Sequence, residues 1–324
     1  MSSYSKDDAM REITVFSGNA HRALAQELCE SLGVDLCPST IRRFSNDCLY
    51  VQLNANCRER DVFILQPLVP PVQEHLMELL LMLDAARDAS ARRTTAVIPH
   101  FAYARSDKKD APRISIAGRL VADLLVAAGA SRVLTITLHA PQVHGFFRIP
   151  VDHLNALNIM SNHFRSRDLA NTVVVSPDLG NAKSASHLAR LLNLPVAAGS
   201  KRRIDDEHVV IDRIVGDVSG RNVILLDDEI ANGGTILEML RLLREHRVGS
   251  VTVACTHGLF TGSAIARLAA QPDIKEVVTT NTVPLASAKI EALPQLRVLS
   301  VAPLLAEAIH RIHDGESISS LFDE

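Results

Sequence analysis

Short runs rich in Val, Ile and Leu alternate with longer stretches whose apolar residues fall three and four apart, and this alternation runs through nearly all 324 residues. A β-branched run of this length suits a strand buried on both faces, and the three-and-four spacing suits an amphipathic helix. Regular succession of the two demands crossover connections. The fold class expected is therefore α/β, with mostly parallel central sheets flanked by helices. The pattern predicts strands at 13–16, 49–53, 62–65, 96–98, 133–136, 173–175, 223–226, 251–254, 277–279 and 298–301. Helices are predicted at 20–32, 72–89, 116–128, 155–165, 182–192, 235–245, 262–269 and 304–313.

The stretch 145–152 carries Gly145 and Pro150 between two such series of elements. A boundary near residue 150 divides the chain into two similar α/β domains, 1–150 and 151–324, matching a length of about two ordinary domains. Whether the last helix packs back on the first half is left open by the sequence.

Charge and composition narrow the function. With 34 basic and 37 acidic residues the formal charge is −3, and aromatics are 4% with no tryptophan. A general nucleic-acid binder needs a basic surface or stacking platforms, so nucleic acid is not the expected partner. No apolar run reaches a membrane span, since the stretch 76–83 is interrupted by Glu78, and the opening MSSYSKDDAMRE lacks the apolar core of a secretion signal. A cytoplasmic protein without membrane contact is expected. The five cysteines form an odd set without a CxxC, which points to reduced thiols and not to a disulfide framework or zinc site.

The most informative loop follows the run 223–226: Asp227, Asp228, Glu229, Ile230, Ala231, Asn232, Gly233 and Gly234 lead to a helix opening at Thr235. Glycines before a helix let backbone N–H groups approach a phosphate, whose charge the helix N-terminus favours. Adjacent carboxylates would repel a bare pyrophosphate, so Asp227 and Asp228 suit sugar hydroxyls or hydrated Mg²⁺. Together they suggest a ribose 5-phosphate cradle.

This loop resembles the phosphoribosyl-binding loop of the type I phosphoribosyltransferase fold, and further segments resemble the ribose-phosphate pyrophosphokinases. They are VFSGNA at 15–20, RRFS at 42–45, RDVFILQ at 60–66, AVIPHFAYARSDKKD at 96–110 and LHAPQVHGFF at 138–147. VVSPDLG at 174–180, KRR at 201–203, DDEIANGGT at 227–235, THGLFTGSA at 256–264 and ESISSLF at 316–322 follow in order.

The resemblance implies a phosphoribosyltransferase-like architecture and transfer of the diphosphoryl group of Mg-ATP to the C1 hydroxyl of ribose 5-phosphate. By that resemblance Lys201 and Arg203 are the transition-state cations, expected on a mobile polar loop, although a run of three basic residues is ordinarily a solvated face. Asn46, Asp47, Cys48, Arg105 and Ser106 fall at ATP positions. Arg203, Asp227, Asp228, Ala231, Asn232, Gly233, Gly234 and Thr235 fall at ribose 5-phosphate positions, and His139 with Asp178 at a Mg²⁺ site. Homo-oligomers, hexamers in the family, and regulation by ADP or phosphate near Arg58 and 317–322 are also implied.

The chain departs from the family pattern at several of these positions. Asn46-Asp47-Cys48 replaces Asp-Gly-Glu, Ser106 replaces a glutamine, Thr137 replaces an aspartate, and Ala231-Asn232 replaces Asp-Thr. A non-catalytic regulatory paralogue is the alternative these changes raise, and a phosphoribosyltransferase is a weaker one.

Overall fold

The computed structural model describes residues 13–203 and 209–321; the opening segment, 204–208 and 322–324 lie outside the described residues, including Asp205, Asp206, Glu207 and the end of the ESISSLF motif. The chain divides into two compact units. One runs to Asn155 and takes in Thr282–Pro284 and the stretch from Ser300, while the other comprises Ala156–Asn281 and Leu285–Leu299.

The first unit contains, in chain order, β1 (Ile13–Ser17), α1 (Arg22–Leu32), β2 (Ser39–Arg43), β3 (Leu49–Leu53), β4 (Asp61–Leu65), α2 (Val72–Asp88), β5 (Arg93–Ile98), α3 (Ala117–Ala128), β6 (Arg132–Ile136) and β7 (Val151–Leu154). Five of the strands form a parallel sheet in the order β1-β4-β5-β6-β7. Every residue of β1 and β4 is buried, as expected for strands covered on both faces. Phe16, Val62, Ile64, Ile98 and Val133 pack with Leu79 and Met82 of α2 and Leu125 of α3. Strands β2 and β3 pair as a separate antiparallel hairpin. α1 begins where the His21 side chain accepts the Leu24 N–H at 3.3 Å, and it ends at Gly33, whose φ of 70° suits a residue without a β-carbon.

The second unit contains α4 (Leu157–Arg165), β8 (Thr172–Ser176), α5 (Ala182–Leu192), β9 (Val196–Arg203), β10 (Val209–Val215), β11 (Asn222–Ile230), α6 (Gly234–Glu245), β12 (Val251–Gly258), α7 (Ala264–Ala269), β13 (Ile274–Thr280), α8 (Ser287–Glu291) and β14 (Leu296–Leu299). Its seven-stranded sheet has the order β10-β9-β8-β11-β12-β13-β14 and is parallel except for the β9–β10 pair. Side chains alternate between its faces. Val173, Val175, Leu225 and Val253 share a core with Met239 of α6 and Leu268 of α7. Val174, Ile224, Leu226 and Ala254 face Met160 and Phe164 of α4 and Leu188 of α5.

The last helix, α9 (Ala302–Asp314), belongs to the first unit and packs on α1. Ser300 Oγ donates to Glu27 Oε2 at 2.6 Å at its start. At its end, Arg93 donates to the carbonyls of Ile312 at 3.2 Å and His313 at 3.1 Å while also pairing with buried Asp61. The His313 imidazole lies 2.7 Å from the same carboxylate. Residues 300–321 therefore group with the first unit and not with 156–281 and 285–299.

Four strands and a short helix escape the sequence pattern: β2, β7, β9, β10 and α8. β2 and β9 end in basic residues and β10 contains Asp212 and Arg213, so none of them reads as an apolar run. β7 has only four residues, with His153 half-buried. The expectation of a mobile loop at 201–203 is corrected: the backbone of Lys201, Arg202 and Arg203 is in β9, opposite Ile211, Val210 and Val209 of β10.

Candidate active site

The order of the larger sheet fixes where a ligand is expected. From β8 the chain moves outward to β9 and β10, then returns to place β11 on the other side of β8. Connections thus leave β8 and β11 in opposite directions, and in open parallel sheets ligands bind at the carboxyl ends of strands flanking such a reversal. Asp178 follows β8, and Asp227 and Asp228 lie in the C-terminal half of β11.

The segment after β8 is tightly held. Ser176 Oγ donates to the Asp178 carbonyl at 2.5 Å, and the Asp178 carboxylate accepts the Asn181 N–H at 3.1 Å. Asn181 then donates from Nδ2 to the Leu226 carbonyl at 3.0 Å, tying this loop to β11 just before its acids. Asp227 Oδ1 accepts the Asp228 N–H at 2.9 Å. Burial pushes the Asp227 carboxyl well above the usual carboxylate range, and the charges of Asp228 and Asp178 push it the same way. Carboxylates that raise the proton affinity of Asp227 make its surroundings a place where a cation is favoured.

Beyond β11 the loop is braced from one side: Phe260 donates to the Ile230 carbonyl at 3.0 Å and Thr261 to the Ala231 carbonyl at 2.9 Å. Gly233 is buried with φ of 77°, a conformation that admits few residues with a β-carbon and that turns the chain into α6. Asn232 Oδ1 accepts the Gly234 N–H at 2.9 Å, so its amide nitrogen remains as a donor while one of the expected phosphate donors is already engaged. Thr235 stands in the first turn of α6.

In the first unit, Arg105 ends a short 3₁₀ turn after β5 and His139 follows β6. These strands are neighbours, so both exposed residues sit at one carboxyl edge. Ser106 has a supporting position: its hydroxyl donates to the Ser115 carbonyl at 3.3 Å and accepts the Ala117 N–H at 3.1 Å, closing the loop before α3. Thr137, in the turn before His139, has φ of 44°, unusual for a β-branched residue.

Asn46, Asp47 and Cys48 occupy the exposed turn between β2 and β3. Asp47 has φ of 69°, so it adopts a conformation natural to the glycine of the Asp-Gly-Glu pattern, and it pairs with Arg43. Asn46 Oδ1 accepts the Cys48 N–H at 3.2 Å. Beside them lies a group that composition obscured: the rings of Phe44 and Tyr50 meet edge to face at 5.7 Å, with Arg42 4.5 Å from the Tyr50 ring centre. Phe44 is 46% exposed, which leaves ring surface open for stacking.

The model of the N-terminal domain of ribose phosphate pyrophosphokinase matches residues 13–129, and the phosphoribosyl synthetase-associated domain matches 205–323. A ribose-phosphate pyrophosphokinase of Deinococcus radiodurans is 51% identical over 96% of this chain and 98% of its own length. This chain belongs to the ribose-phosphate pyrophosphokinase family. A Streptomyces coelicolor protein that carries the family name provisionally is 63% identical over 97% of this chain and 98% of its own. The crystal structure of phosphoribosylpyrophosphate synthetase from Mycobacterium smegmatis superposes with a TM-score of 0.88 at 40% identity, covering 94% of this chain and 99% of that one.

Within the pyrophosphokinase frame, the structure gathers Asp178, Asp227, Asp228 and 231–235 in the second unit, and Arg105 and His139 on one edge of the first. Asn181 and the Phe44–Tyr50 pair were not singled out from sequence. Asn181 lies next to a motif, and the exposed aromatics could have been found from the alternation of Phe44 and Tyr50 around a turn.

Proposed function

We propose that the chain transfers the diphosphoryl group of Mg-ATP to the C1 hydroxyl of ribose 5-phosphate, giving 5-phosphoribosyl 1-diphosphate and AMP. The observation that carries this reading is the meeting of Asp178, Asp227 and Asp228 with a glycine-turned helix N-terminus where the strand order reverses. Such a site suits a ligand with a phosphate at one end and hydroxyls at the other. The Gly233 N–H and the first turn of α6 take the 5-phosphate, and Asp227 and Asp228 accept hydrogen bonds from ribose hydroxyls.

The donor set fits Mg²⁺. Asp178 is a hard oxygen donor whose charge reaches Asp227, while among the described residues no three His, Cys, Asp or Glu side chains are grouped so as to hold a metal ion by themselves. That combination suits an ion held by one or two carboxylates, the rest of its shell being water and substrate phosphate. Asp178 is the residue of the second unit proposed to hold it, and His139 keeps the metal-binding role that the resemblance gives it in the first unit. When bound, Mg²⁺ neutralises charge on the transferred phosphates.

The remaining work is positioning and charge stabilisation, as phosphoryl transfer requires. Arg105 binds the polyphosphate, Lys201 and Arg203 stabilise charge as the diphosphoryl group moves, and the β2–β3 hairpin offers Phe44 and the Asn46–Cys48 turn to the adenine. Assembly into a homo-oligomer, with phosphate or ADP as an effector near Arg58, belongs to the same proposal. No helix among the described residues is long and apolar enough to cross a membrane, and a cytoplasmic location is proposed.

Purified protein supplied with ATP, ribose 5-phosphate and Mg²⁺ is expected to release AMP and phosphoribosyl diphosphate in equal amounts. No AMP release across a range of Mg²⁺ and phosphate concentrations would overturn catalysis in favour of a regulatory paralogue. Light scattering tests assembly, and a monomer at all phosphate concentrations would overturn that part.

A further inference from the structure

Three consecutive carbonyls of the phosphate loop are held from one side. Those of Ile230 and Ala231 accept backbone N–H groups from Phe260 and Thr261. The third, that of Asn232, is reached by a side chain: Arg267 of α7 donates a guanidinium N–H to it at 3.1 Å. Arg267 is exposed, and no carboxylate among the described residues pairs with it. An arginine that spends a donor on a neutral carbonyl, with no carboxylate partner among the described residues, calls for an explanation, because a carboxylate is its stronger partner.

Peptide geometry supplies one. In a trans peptide the C=O of one residue and the N–H of the next point in opposite directions within a rigid plane. The Asn232–Gly233 bond is trans. Holding the Asn232 carbonyl towards α7 therefore turns the Gly233 N–H away from α7. The next carbonyl, that of Gly233, already accepts the Leu237 N–H at 3.1 Å as the first bond of α6, and the Gly234 N–H is engaged by Asn232 Oδ1. The Gly233 peptide is consequently the adjustable one in the loop, since glycine opposes its rotation least.

We propose that Arg267 is the positioning residue for the sugar-phosphate end of the substrate: it fixes the Asn232–Gly233 peptide so that the Gly233 N–H faces the phosphate, and it adds positive charge to that side of the site. This rests on reading 231–235 as the ribose 5-phosphate loop. Arg267 acts through the backbone of this loop, so its effect is expected on the sugar-phosphate substrate alone.

The test compares Arg267→Met and Arg267→Lys with the unsubstituted full chain in steady-state assays, varying ribose 5-phosphate and ATP separately. Arg267→Met is expected to raise KM for ribose 5-phosphate by about 10-fold or more, the scale of a charge-assisted contact, with KM for ATP within about 2-fold. Arg267→Lys keeps the charge and a donor, and is expected to recover most of the loss. Thermal melts are expected to coincide, because the side chain is exposed. An unchanged KM for ribose 5-phosphate in Arg267→Met, or an equal rise for both substrates, overturns the role of Arg267 while leaving the activity standing. If the unsubstituted chain shows no dependence on ribose 5-phosphate, the reading of the loop fails and this proposal fails with it.

Discussion

His153 Nε2 accepts the Leu138 N–H at 2.7 Å, so the backbone immediately before His139 is held by an imidazole that must be neutral to accept. Burial pushes the His153 imidazole down to about 4, and nearby His144 acts in the same direction. An unfolded histidine titrates near 6.5, so between about 6.5 and 4 the unfolded chain binds the extra proton. Stability from this group is complete above that window and declines as pH falls through it, by up to about 3 kcal/mol. Urea unfolding at several pH values is expected to show this slope in the native sequence and a shallower one in His153→Gln, whose amide oxygen accepts without titrating. Equal slopes would contradict the assignment.

Lys201 lies on a strand paired with β10 and not on a free loop. If its ammonium stabilises the moving diphosphoryl group, Lys201→Ala is expected to lower kcat by at least about 10²-fold while KM for ribose 5-phosphate changes little. Single-turnover AMP release separates this outcome from a defect in substrate binding.

The adenine assignment of the hairpin turn is tested by restoring the family's carboxylate. Cys48 is exposed and its side chain has no hydrogen-bond partner among the described residues, so Cys48→Glu is accommodated without repacking. It is expected to lower KM for ATP several-fold without moving KM for ribose 5-phosphate, and to sharpen the preference for ATP over GTP. Equal shifts for both nucleotides would place the adenine elsewhere.

Asp61 is 2% exposed, and burial alone would raise its carboxyl; the hydrogen bonds and charges of Arg93 and His313 outweigh this and hold it below the usual range. Its contribution to stability is thus present at neutral pH and lost as pH falls below the ordinary aspartate range. Arg93→Met leaves the buried carboxylate with His313 as its remaining partner and is expected to cost about 3 kcal/mol in urea unfolding at pH 7. Adding Asp61→Asn to Arg93→Met is expected to recover part of that loss, because the buried charge is gone.

What was legible in the sequence divides along physical lines. The buried parallel strands announced themselves, because β1, β4, β8 and the first half of β11 must be apolar on both faces. The loop 227–235 was legible because carboxylates, a glycine pair and a helix start are an unusual conjunction. Strands β9 and β10 were not, since a polar antiparallel edge leaves no apolar run. Ser106 read as an ATP-side residue, and that its hydroxyl also closes the loop before α3 is something only its hydrogen bonds reveal. Arg267 carried no signal at all: an exposed arginine on a short helix looks like any other surface charge until its carbonyl partner is seen.

The return of α9 to α1 has a consequence for biosynthesis. On the ribosome, the 144 residues from 156 to 299 emerge between the start of the first unit and the helix that completes it. α1 stays without the helix that packs on it until residues 302–314 have been made. The inserted unit thus has its whole sequence available first, and the N-terminal half is the late folder despite being made early. A premature stop just before α9 would therefore damage the half of the protein farthest from it in sequence.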